Sequence, residues 1–421
     1  MIRAAVIGTG FVGAQHVEAL RRLGDVEVAT VAASTDARGA EAARRLHVPQ
    51  GRGDYRRILD DPSIDVVHVC TPNVHHAEMA TAALEAGKHV VCEKPLAMDA
   101  AEAGPLVALA ESSDRLSVLC HNYRFYPMAA ELRSLVHDGA LGEPHLVRGT
   151  YLQDWLLLPT DYNWRVDPAT GGASRAIADI GTHWVDLAET VTSRVLEAVL
   201  AETLTLHPRR LAADAKTFEQ ADTGADEGVP SGPVTVGELG RASESADRWR
   251  DVHTEDQATM LLRFSGDLRG ITTISQVAAG HKNALEISVD GASGSATWRQ
   301  ERPDVLAVGR RDGANELLTR SPNAGSAAER ALAHLPGGHN EGWADGFRNL
   351  LGAAYSVIRG DATPDEMPVP LPTFRDGRRH LLFVEAALRS AAEQGWVSVS
   401  SVAHEPATAG AAGPAAGQTS R

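Results

Sequence analysis

In the stretch Ile2–Gly13, IRAAVIGTGFVG, an apolar segment is followed by three glycines with the spacing G-x-G-x-x-G. The apolar run predicts a buried strand, and the residues from Phe11 onward have helical periodicity. Gly8 permits a tight turn, Gly10 lets the backbone approach a pyrophosphate, and Gly13 allows close helix–strand packing. The helix N-terminus then offers free N–H groups to phosphates. In this context the pattern predicts a dinucleotide site with contacts from Gly8, Gly10, Phe11, Val12 and Gly13.

The rest of the chain divides into two patterns. Residues 1–122 alternate β-like runs with helical segments, which predicts an α/β Rossmann domain with a doubly wound parallel sheet. Residues 123–400 contain many β-like runs and few helices, which predicts an α+β domain with a mostly antiparallel open sheet that binds substrate and forms oligomers. Within it, residues 207–250 are rich in Pro, Gly, Asp and Ser and are expected to form an insertion. Residues 401–421 are expected to be a disordered tail.

Composition excludes several classes of protein. Of 421 residues, 43% are hydrophobic and 23% charged, which is typical of a globular protein. The net charge of −15 argues against binding to nucleic acid, and no apolar run is long enough for a membrane span. The N-terminal residues lead directly into the first strand, so we expect no signal or transit peptide and a cytoplasmic protein. The three widely spaced cysteines suit a reducing compartment.

The end of the second strand leaves the choice of dinucleotide open. An NAD site is expected to place an acidic residue there for the ribose 2′-hydroxyl. The sequence reads Ala33-Ser34-Thr35-Asp36, with Arg38 close by. Ser34, Thr35 and Arg38 suit the 2′-phosphate of NADP, whereas Asp36 suits the ribose of NAD and Arg38 then faces solvent. The cofactor is therefore NAD or NADP.

Two further stretches carry polar residues of chemical interest. In His89–Asp99, HVVCEKPLAMD, an apolar run ends on Glu93-Lys94-Pro95, although a lone lysine at a strand end is usually only solvated. Asp179 and His183 are spaced to share one helix face, although an aspartate here also suits a helix N-cap. No third ligand has the spacing of a zinc site, so no metal is predicted.

Four motifs together resemble one family. Gly8–Gly13, Cys70-Thr-Pro-Asn73, Glu93-Lys94-Pro95 and Asp179-x-Gly-x-His183-x-x-Asp186 occur in the order seen in the glucose–fructose oxidoreductase / inositol dehydrogenase / rhizopine-catabolism family. The resemblance covers nearly the whole chain apart from the insertion and the tail. It implies a cis Lys94–Pro95 bond and a catalytic Lys94 that polarises a sugar hydroxyl. It also implies His183 as general base and Asp179 as the residue that holds substrate hydroxyls and orients His183. Further cofactor contacts are implied for Thr71, Pro72, Asn73, His76, Glu93, Lys94, Trp164 and Arg165.

Other segments narrow the resemblance to a subgroup. Tyr151–Trp155, Trp164-Arg165, Gly171–Arg175 and Leu335–Trp343 are similar to dehydrogenases of anhydrosugars such as levoglucosan, and to their glucoside- and inositol-oxidising relatives. Ser34, Thr35 and Arg38 are similar to a motif of NADP-using anhydrofructose reductases, although Ala33 replaces a serine there. For each segment, ordinary domain packing is the alternative. The substrate contacts implied are Tyr123, Gln153, Trp155, Arg175, Asp179, His183 and His339.

The expected function is hydride transfer between a secondary hydroxyl of a cyclic sugar or polyol and a nicotinamide cofactor. An alcohol that loses hydride must also lose its proton, and a histidine beside an ammonium group suits that step. Two alternatives stay open: a nicotinamide-binding sensor without turnover, and an NAD-dependent glycoside hydrolase of the same family. The resemblance also implies a homodimer or homotetramer formed through the open face of the second sheet.

Overall fold

The computed structural model describes residues 1–212 and 248–402. Its first sheet has six parallel strands in the order β3-β2-β1-β4-β5-β6, the arrangement of a Rossmann fold. The strands are β1 (Ile2–Ile7), β2 (Val26–Ala32), β3 (Gln50–Arg52), β4 (Val66–Val69), β5 (His89–Cys92) and β6 (Ser117–Leu119). The helices that alternate with them are α1 (Phe11–Arg21), α2 (Asp36–Arg45), α3 (Arg56–Leu59), α4 (His76–Glu85) and α5 (Ala100–Ser112). The predicted parallel domain is confirmed.

The caps of these helices follow from local sequence. Thr35 precedes α2 and its hydroxyl accepts a hydrogen bond from the backbone N–H of Arg38. Asp99 caps α5 in the same way, with its carboxylate accepting from the N–H of Glu102. Such caps satisfy backbone donors that have no partner within the helix. They fix where each helix begins relative to the strand before it.

The second sheet has nine strands in the order β16-β15-β14-β13-β7-β12-β11-β8-β17. Only β7 and β12 pair in parallel; the other neighbours are antiparallel, as predicted for most of this sheet. The strands are β7 (Pro144–Leu152), β8 (Leu196–Leu204), β11 (Gln257–Phe264), β12 (Arg269–Ser275), β13 (Ala284–Gly291), β14 (Gly294–Arg299), β15 (Val305–Arg310), β16 (Glu316–Thr319) and β17 (Val397–Ser398). A separate ribbon joins β9 (Arg209–Leu211) to β10 (Trp249–Asp251).

In the described part of the chain, seven further helices surround the second sheet and the junction with the first. They are α6 (Pro127–His137), α7 (Pro168–Gly171), α8 (Thr182–Thr192), α9 (Ala327–Leu332), α10 (Trp343–Arg359), α11 (Phe374–Glu393) and α12 (Val399–Val402). A π-helical turn, Ile177–Gly181, leads directly into α8. Extra-wide turns of this kind occur frequently at functional sites.

Helix α10 packs on the first domain although it comes late in the chain. Its Phe347, Leu350 and Tyr355 are buried in one cluster with Val17 and Leu20 of α1. The chain therefore crosses back to the Rossmann domain after building most of the second sheet. The packing of α10 on the Rossmann domain therefore connects the two domains.

Some predicted features lie outside the described residues. Most of the predicted 207–250 insertion and nearly all of the 401–421 tail fall there. Among the described helices, none combines the length and apolar character that crossing a membrane requires.

Candidate active site

The glycine turn between β1 and α1 depends on close backbone contacts. Gly8 has a φ of +94°, and a Cβ placed there would lie 2.4 Å from the carbonyl oxygen of Cys70. A Cβ at Gly13 would lie 2.0 Å from the carbonyl oxygen of Gly8. These two glycines therefore shape the turn and do not line the cavity beside it. Gly10, Phe11 and Val12 do line that cavity.

The cavity has a volume of about 680 Å³ and lies between the carboxyl ends of the parallel strands and the second sheet. Ligands of open α/β sheets bind at this edge, and the volume is in the range of small-molecule sites. The predicted site residues that line it are Gly10, Phe11, Val12, Thr71, Pro72, Asn73, His76, Glu93, Lys94, Tyr123, Gln153, Trp155, Trp164, Arg165, Asp179 and His183. The structure thus brings most of the predicted site into one cleft.

Lys94 and Asp179 meet across the two domains. Lys94 follows β5, the bond from it to Pro95 is cis, and Asp179 lies in the π-helical turn before α8. The Lys94 Nζ donates to the Asp179 carboxylate at 2.7 Å and to its backbone oxygen at 2.9 Å. An ammonium group has three N–H donors. One donor of Lys94 is therefore left for a ligand in the cavity.

The Asp179 carboxylate has further partners. Gln276 donates to Oδ2 at 2.7 Å, and the guanidinium Nε of Arg165 lies 3.3 Å from Oδ1. Burial alone raises the pKa of Asp179, but the charges of Lys94 and Arg165 outweigh it and hold the pKa below its ordinary value. The carboxylate stays ionised at neutral pH and can accept hydrogen bonds from a ligand.

His183 lies one turn after Asp179, in α8, and is 8% exposed. Its Nδ1 lies 3.3 Å from Nδ1 of His121. Burial, followed by the charge of Lys94, holds the pKa of His183 well below its ordinary value. The imidazole is therefore neutral at neutral pH, with one nitrogen free to accept a proton.

Glu93 forms the buried floor of the cavity beside Lys94. Its Oε1 lies 3.1 Å from Nε2 of His16, whose Nδ1 contacts His68 at 2.6 Å. Burial opposes ionisation of Glu93, but the hydrogen bond and charge of His16 lower its pKa overall. An ionised Glu93 places negative charge against the part of the cavity next to the glycine turn.

A network of neutral polar groups lines the side of the second sheet. Tyr151 donates to Asn283 at 2.7 Å, and Tyr123 lies 2.6 Å from the Tyr151 hydroxyl. Gln153 also donates to Asn283, at 2.9 Å, and accepts from the indole N–H of Trp155 at 2.8 Å. Such groups suit a ligand with several hydroxyls, because each donates or accepts without a net charge.

The cavity lining also includes residues that the sequence did not single out. Asn283 and Lys282 line the cavity from the connection between β12 and β13. Phe347 reaches it from α10, stacked on Trp343, which is the last residue of the Leu335–Trp343 segment. Asn283, Lys282 and Phe347 belong to no motif of fixed spacing, so they become visible only once the chain is folded.

Two predicted substrate contacts, Arg175 and His339, lie outside the cavity lining. Arg175 does not line the cavity; its fully buried guanidinium pairs with Asp256, which also binds Arg210 at 2.6 Å. His339 is exposed and also lies outside the cavity lining. Its backbone oxygen accepts from Arg320 at 2.6 Å. Arg175 is thus a residue of the interior of the second domain, where a buried guanidinium needs a carboxylate partner.

The end of β2 lies away from the cavity lining. Arg38 donates to the Ser34 hydroxyl at 2.8 Å, while Thr35 caps α2. Asp36 accepts from the backbone N–H of Gly53 at 2.7 Å. One Asp36 oxygen is therefore engaged in holding the loop after β3.

Comparison with known proteins identifies the family of the chain. A family model described as "Oxidoreductase family, NAD-binding Rossmann fold" matches residues 2–120, and a "GFO/IDH/MocA C-terminal domain" model matches residues 129–297. Levoglucosan dehydrogenase of Pseudarthrobacter phenanthrenivorans is 30% identical over 410 residues, covering 94% of this chain and 98% of that protein. The chain belongs to the GFO/IDH/MocA oxidoreductase family. The predicted family and fold class are confirmed.

Other members of the GFO/IDH/MocA family are similar over most or part of the chain. A levoglucosan dehydrogenase solved with NADH and L-sorbose superposes with a TM-score of 0.80 at 28% identity, covering 95% of this chain and 99% of that one. An inositol dehydrogenase homologue from Azotobacter vinelandii, solved with NAD⁺, gives 0.78 at 27% identity, covering 94% and 97%. Myo-inositol 2-dehydrogenase of Thermotoga maritima is 30% identical over 201 residues, which cover 48% of this chain and 58% of that protein.

Proposed function

We propose that this protein is a nicotinamide-dependent dehydrogenase that oxidises a secondary hydroxyl of a cyclic sugar or polyol. The observation that carries the proposal is the cluster of Lys94, Asp179 and His183 at the cavity that opens beside the glycine turn. The family relationship supports the same chemistry, since a relative matched over 94% of this chain is named levoglucosan dehydrogenase.

The dinucleotide, when bound, supplies the hydride acceptor. Gly10, Phe11 and Val12 would hold its phosphates at the start of α1, where backbone N–H groups have no partner in the helix. Thr71, Pro72, Asn73 and Glu93 line the same cavity and would hold the rest of the dinucleotide.

Lys94 and His183 act on the substrate hydroxyl. Two N–H groups of Lys94 are held by Asp179, so the third donates to the hydroxyl oxygen and stabilises the alkoxide character that develops on it. His183 is neutral and accepts the hydroxyl proton. In the direction of reduction the same proton returns from His183 to the oxygen.

The remaining polar groups select the substrate. Asp179, Gln153 and Asn283 bind ring hydroxyls, and the faces of Trp155 and Trp164 pack against C–H groups of the ring. Arg165 lies over the ring of Trp164 at 4.3 Å and holds it at the cavity wall. A site built from several hydroxyl partners discriminates strongly against compounds that lack those hydroxyls.

A substrate screen tests this proposal. Purified protein is mixed with NAD⁺ or NADP⁺ and with levoglucosan, inositols, pyranosides or short linear alcohols, and the absorbance of reduced nicotinamide is recorded. We expect turnover with at least one cyclic polyol and no turnover with linear alcohols. Equal turnover of a linear alcohol contradicts the substrate class, and no reduction with any cyclic polyol contradicts the dehydrogenase.

We also propose that the protein is a homodimer or homotetramer. On the open face of the second sheet, Leu261 of β11 and Ile271 of β12 are paired in register and are 43% and 41% exposed. A second copy of the chain would cover this apolar pair. Sedimentation velocity measures the assembly. Replacement of both residues by lysine is expected to yield monomers, and a monomeric wild-type protein contradicts the proposal.

A further inference from the structure

Three side chains that can bind a metal ion meet at the floor of the cavity. Nε2 of His16 lies 3.1 Å from Oε1 of Glu93 and 3.9 Å from Sγ of Cys120. The three ligand atoms all lie within 4.8 Å of one another. His16 and Cys120 are buried, and Glu93 is 9% exposed. Imidazole, carboxylate and thiolate are the ligand types that zinc binds in proteins.

The three ligands come from different elements of the Rossmann domain. His16 lies in α1, Glu93 directly follows β5, and Cys120 directly follows β6. Because β5 and β6 are neighbouring parallel strands, the residues that follow them lie side by side. No motif of fixed spacing joins the three positions, so the cluster becomes visible only once the chain is folded.

The spacing of the ligand atoms suits a tetrahedral cation. Bonds of about 2.0–2.2 Å to nitrogen and oxygen and about 2.3 Å to sulfur, at tetrahedral angles, put the ligand atoms roughly 3.3–3.6 Å apart. The distances of 3.1 and 3.9 Å in the cluster lie just outside this range, on either side of it. Small shifts of the side chains would therefore place all three atoms around one ion.

The ring of His16 is already held in the orientation that metal binding requires. Its second nitrogen, Nδ1, lies 2.6 Å from Nδ1 of His68, and Nε2 of His68 lies 2.8 Å from the Tyr355 hydroxyl. In metal sites, the histidine nitrogen that does not bind the metal usually makes such a hydrogen bond, which fixes the ring. With a metal on Nε2, Nδ1 of the neutral His16 ring carries the hydrogen and donates to His68.

The charges of the cluster balance a divalent cation. The Cys120 thiol gives up its proton on binding, so the thiolate and the Glu93 carboxylate together neutralise the ion. Lys94 adds a positive charge next to Glu93. The Lys94 ammonium is itself paired with Asp179 at 2.7 Å, which reduces its repulsion of a bound cation.

The cavity gives a cation access to the cluster. Glu93 and Cys120 both line it. Three protein ligands leave a fourth position, which zinc fills with water or another small ligand. A second group of possible ligands in the described part of the chain, His121, Asp186 and His380, is buried and contains no thiol.

We propose that His16, Glu93 and Cys120 form a binding site for a divalent cation of the zinc type, with its fourth position toward the cavity. The cation shares Glu93 with the dinucleotide, so binding of one weakens binding of the other. This competition rests on the proposed function, in which Glu93 contacts the dinucleotide, whereas the metal site does not.

Titration with Co²⁺ tests the site without substrate or dinucleotide. Co²⁺ replaces zinc in sites of this kind, and a cobalt–thiolate bond gives a charge-transfer absorption band in the near ultraviolet. We expect tag-free protein to develop this band and Zn²⁺ to remove it. Co²⁺ bound to the thiol-free group around His121 would give no such band. Absence of the band in the wild-type protein overturns the inference.

Variants identify the ligands. Cys120→Ala is expected to lose the band and to bind Zn²⁺ more than about 100-fold more weakly, because loss of even an outer partner costs 10–100-fold. Cys70→Ala is the matched control and should keep the band, because Cys70 lines the same cavity but lies outside the cluster. Glu93→Gln keeps the shape of the side chain without its charge and should also weaken Zn²⁺ binding. A band that persists in Cys120→Ala overturns the inference.

Calorimetric titration of the dinucleotide, with and without Zn²⁺, tests the competition. We expect Zn²⁺ to weaken dinucleotide binding to the wild-type protein and to have little effect on Cys120→Ala. Equal weakening in both proteins places the inhibitory metal elsewhere and contradicts the competition. If the cobalt band is present but no cyclic polyol reduces the cofactor, the proposed function is wrong and the metal site stands. Thermal unfolding confirms that each variant is folded before it is titrated.

Discussion

Replacement of Lys94 by methionine removes the ammonium group while keeping much of the side chain. In the structure Nζ makes two hydrogen bonds to Asp179 and has one donor left for the substrate oxygen. Loss of one preorganised donor to a developing oxyanion lowers kcat by about 10²–10³-fold in enzymes. We expect a loss of at least that size here, because the variant removes the charge as well as the donor.

The stability cost should be moderate. The side chains of Lys94 and Asp179 are 12% and 16% exposed, so Asp179 would lose a nearly buried partner. Gln276 and Arg165 still contact the carboxylate. We therefore expect the free energy of unfolding to fall by about 1–3 kcal/mol, less than for an ion left with no partner.

The assay is steady-state cofactor reduction with the substrate found in the screen, together with calorimetric titration of the dinucleotide. Affinity for the dinucleotide should change little, since the glycine turn is intact. Arg115→Met is the matched control: Arg115 is exposed and precedes β6, at the opposite end of the sheet from Lys94. Near-normal kcat in Lys94→Met would refute the role of Lys94.

Three other outcomes follow from the structure. Gly10→Val should abolish dinucleotide binding in a folded protein, because a side chain there occupies the cavity beside the helix N-terminus. If titration shows that the folded variant keeps its affinity for the dinucleotide, the phosphate site is contradicted. If the Ser34–Arg38 pair binds a 2′-phosphate, Arg38→Ala should raise the KM for NADP and not the KM for NAD, because an interaction of about 1.5–3 kcal/mol is lost. An equal effect on both cofactors, or no effect, means that Arg38 has no such role. Burial lowers the pKa of His68, His76, His121 and His183, so the unfolded chain binds more protons than the folded one below the ordinary histidine pKa of about 6.5. Their contribution to the free energy of unfolding is therefore fully present above that pH and is lost as the pH drops below it, by up to about 1.4 kcal/mol per histidine between pH 7.5 and 5.5. Urea unfolding at the two pH values measures this loss. Equal free energies of unfolding at both pH values contradict it.

The sequence was sufficient to predict the Rossmann domain, because its strands and helices follow one another locally. The strand before Gly8 and the helix that begins at Phe11 both lie within a few residues of the glycine motif that predicts them. The meeting of Lys94 with Asp179 was also predicted, but from the family resemblance. The two residues are 85 positions apart, and nothing local to either one specifies the partner.

Other parts of the site could not be predicted for the same physical reason. Arg175 is as polar in sequence as Arg165, and only the fold shows that Asp256, 81 positions later, takes it out of the cavity. Asn283 and Lys282 lie in a connection between strands, where no periodicity marks a binding residue. His121 contacts His183 from a separate segment 62 positions earlier, so this contact also depends entirely on tertiary packing.

Transfer of deuterium tests the central claim most directly. A cyclic polyol that turns over is prepared with deuterium on its ring carbons and incubated with the protein and oxidised cofactor, and both products are analysed by mass spectrometry. Direct hydride transfer within the cleft predicts one deuterium on each reduced nicotinamide and a ketone that has lost that deuterium. Reduced nicotinamide that carries no deuterium would contradict the account.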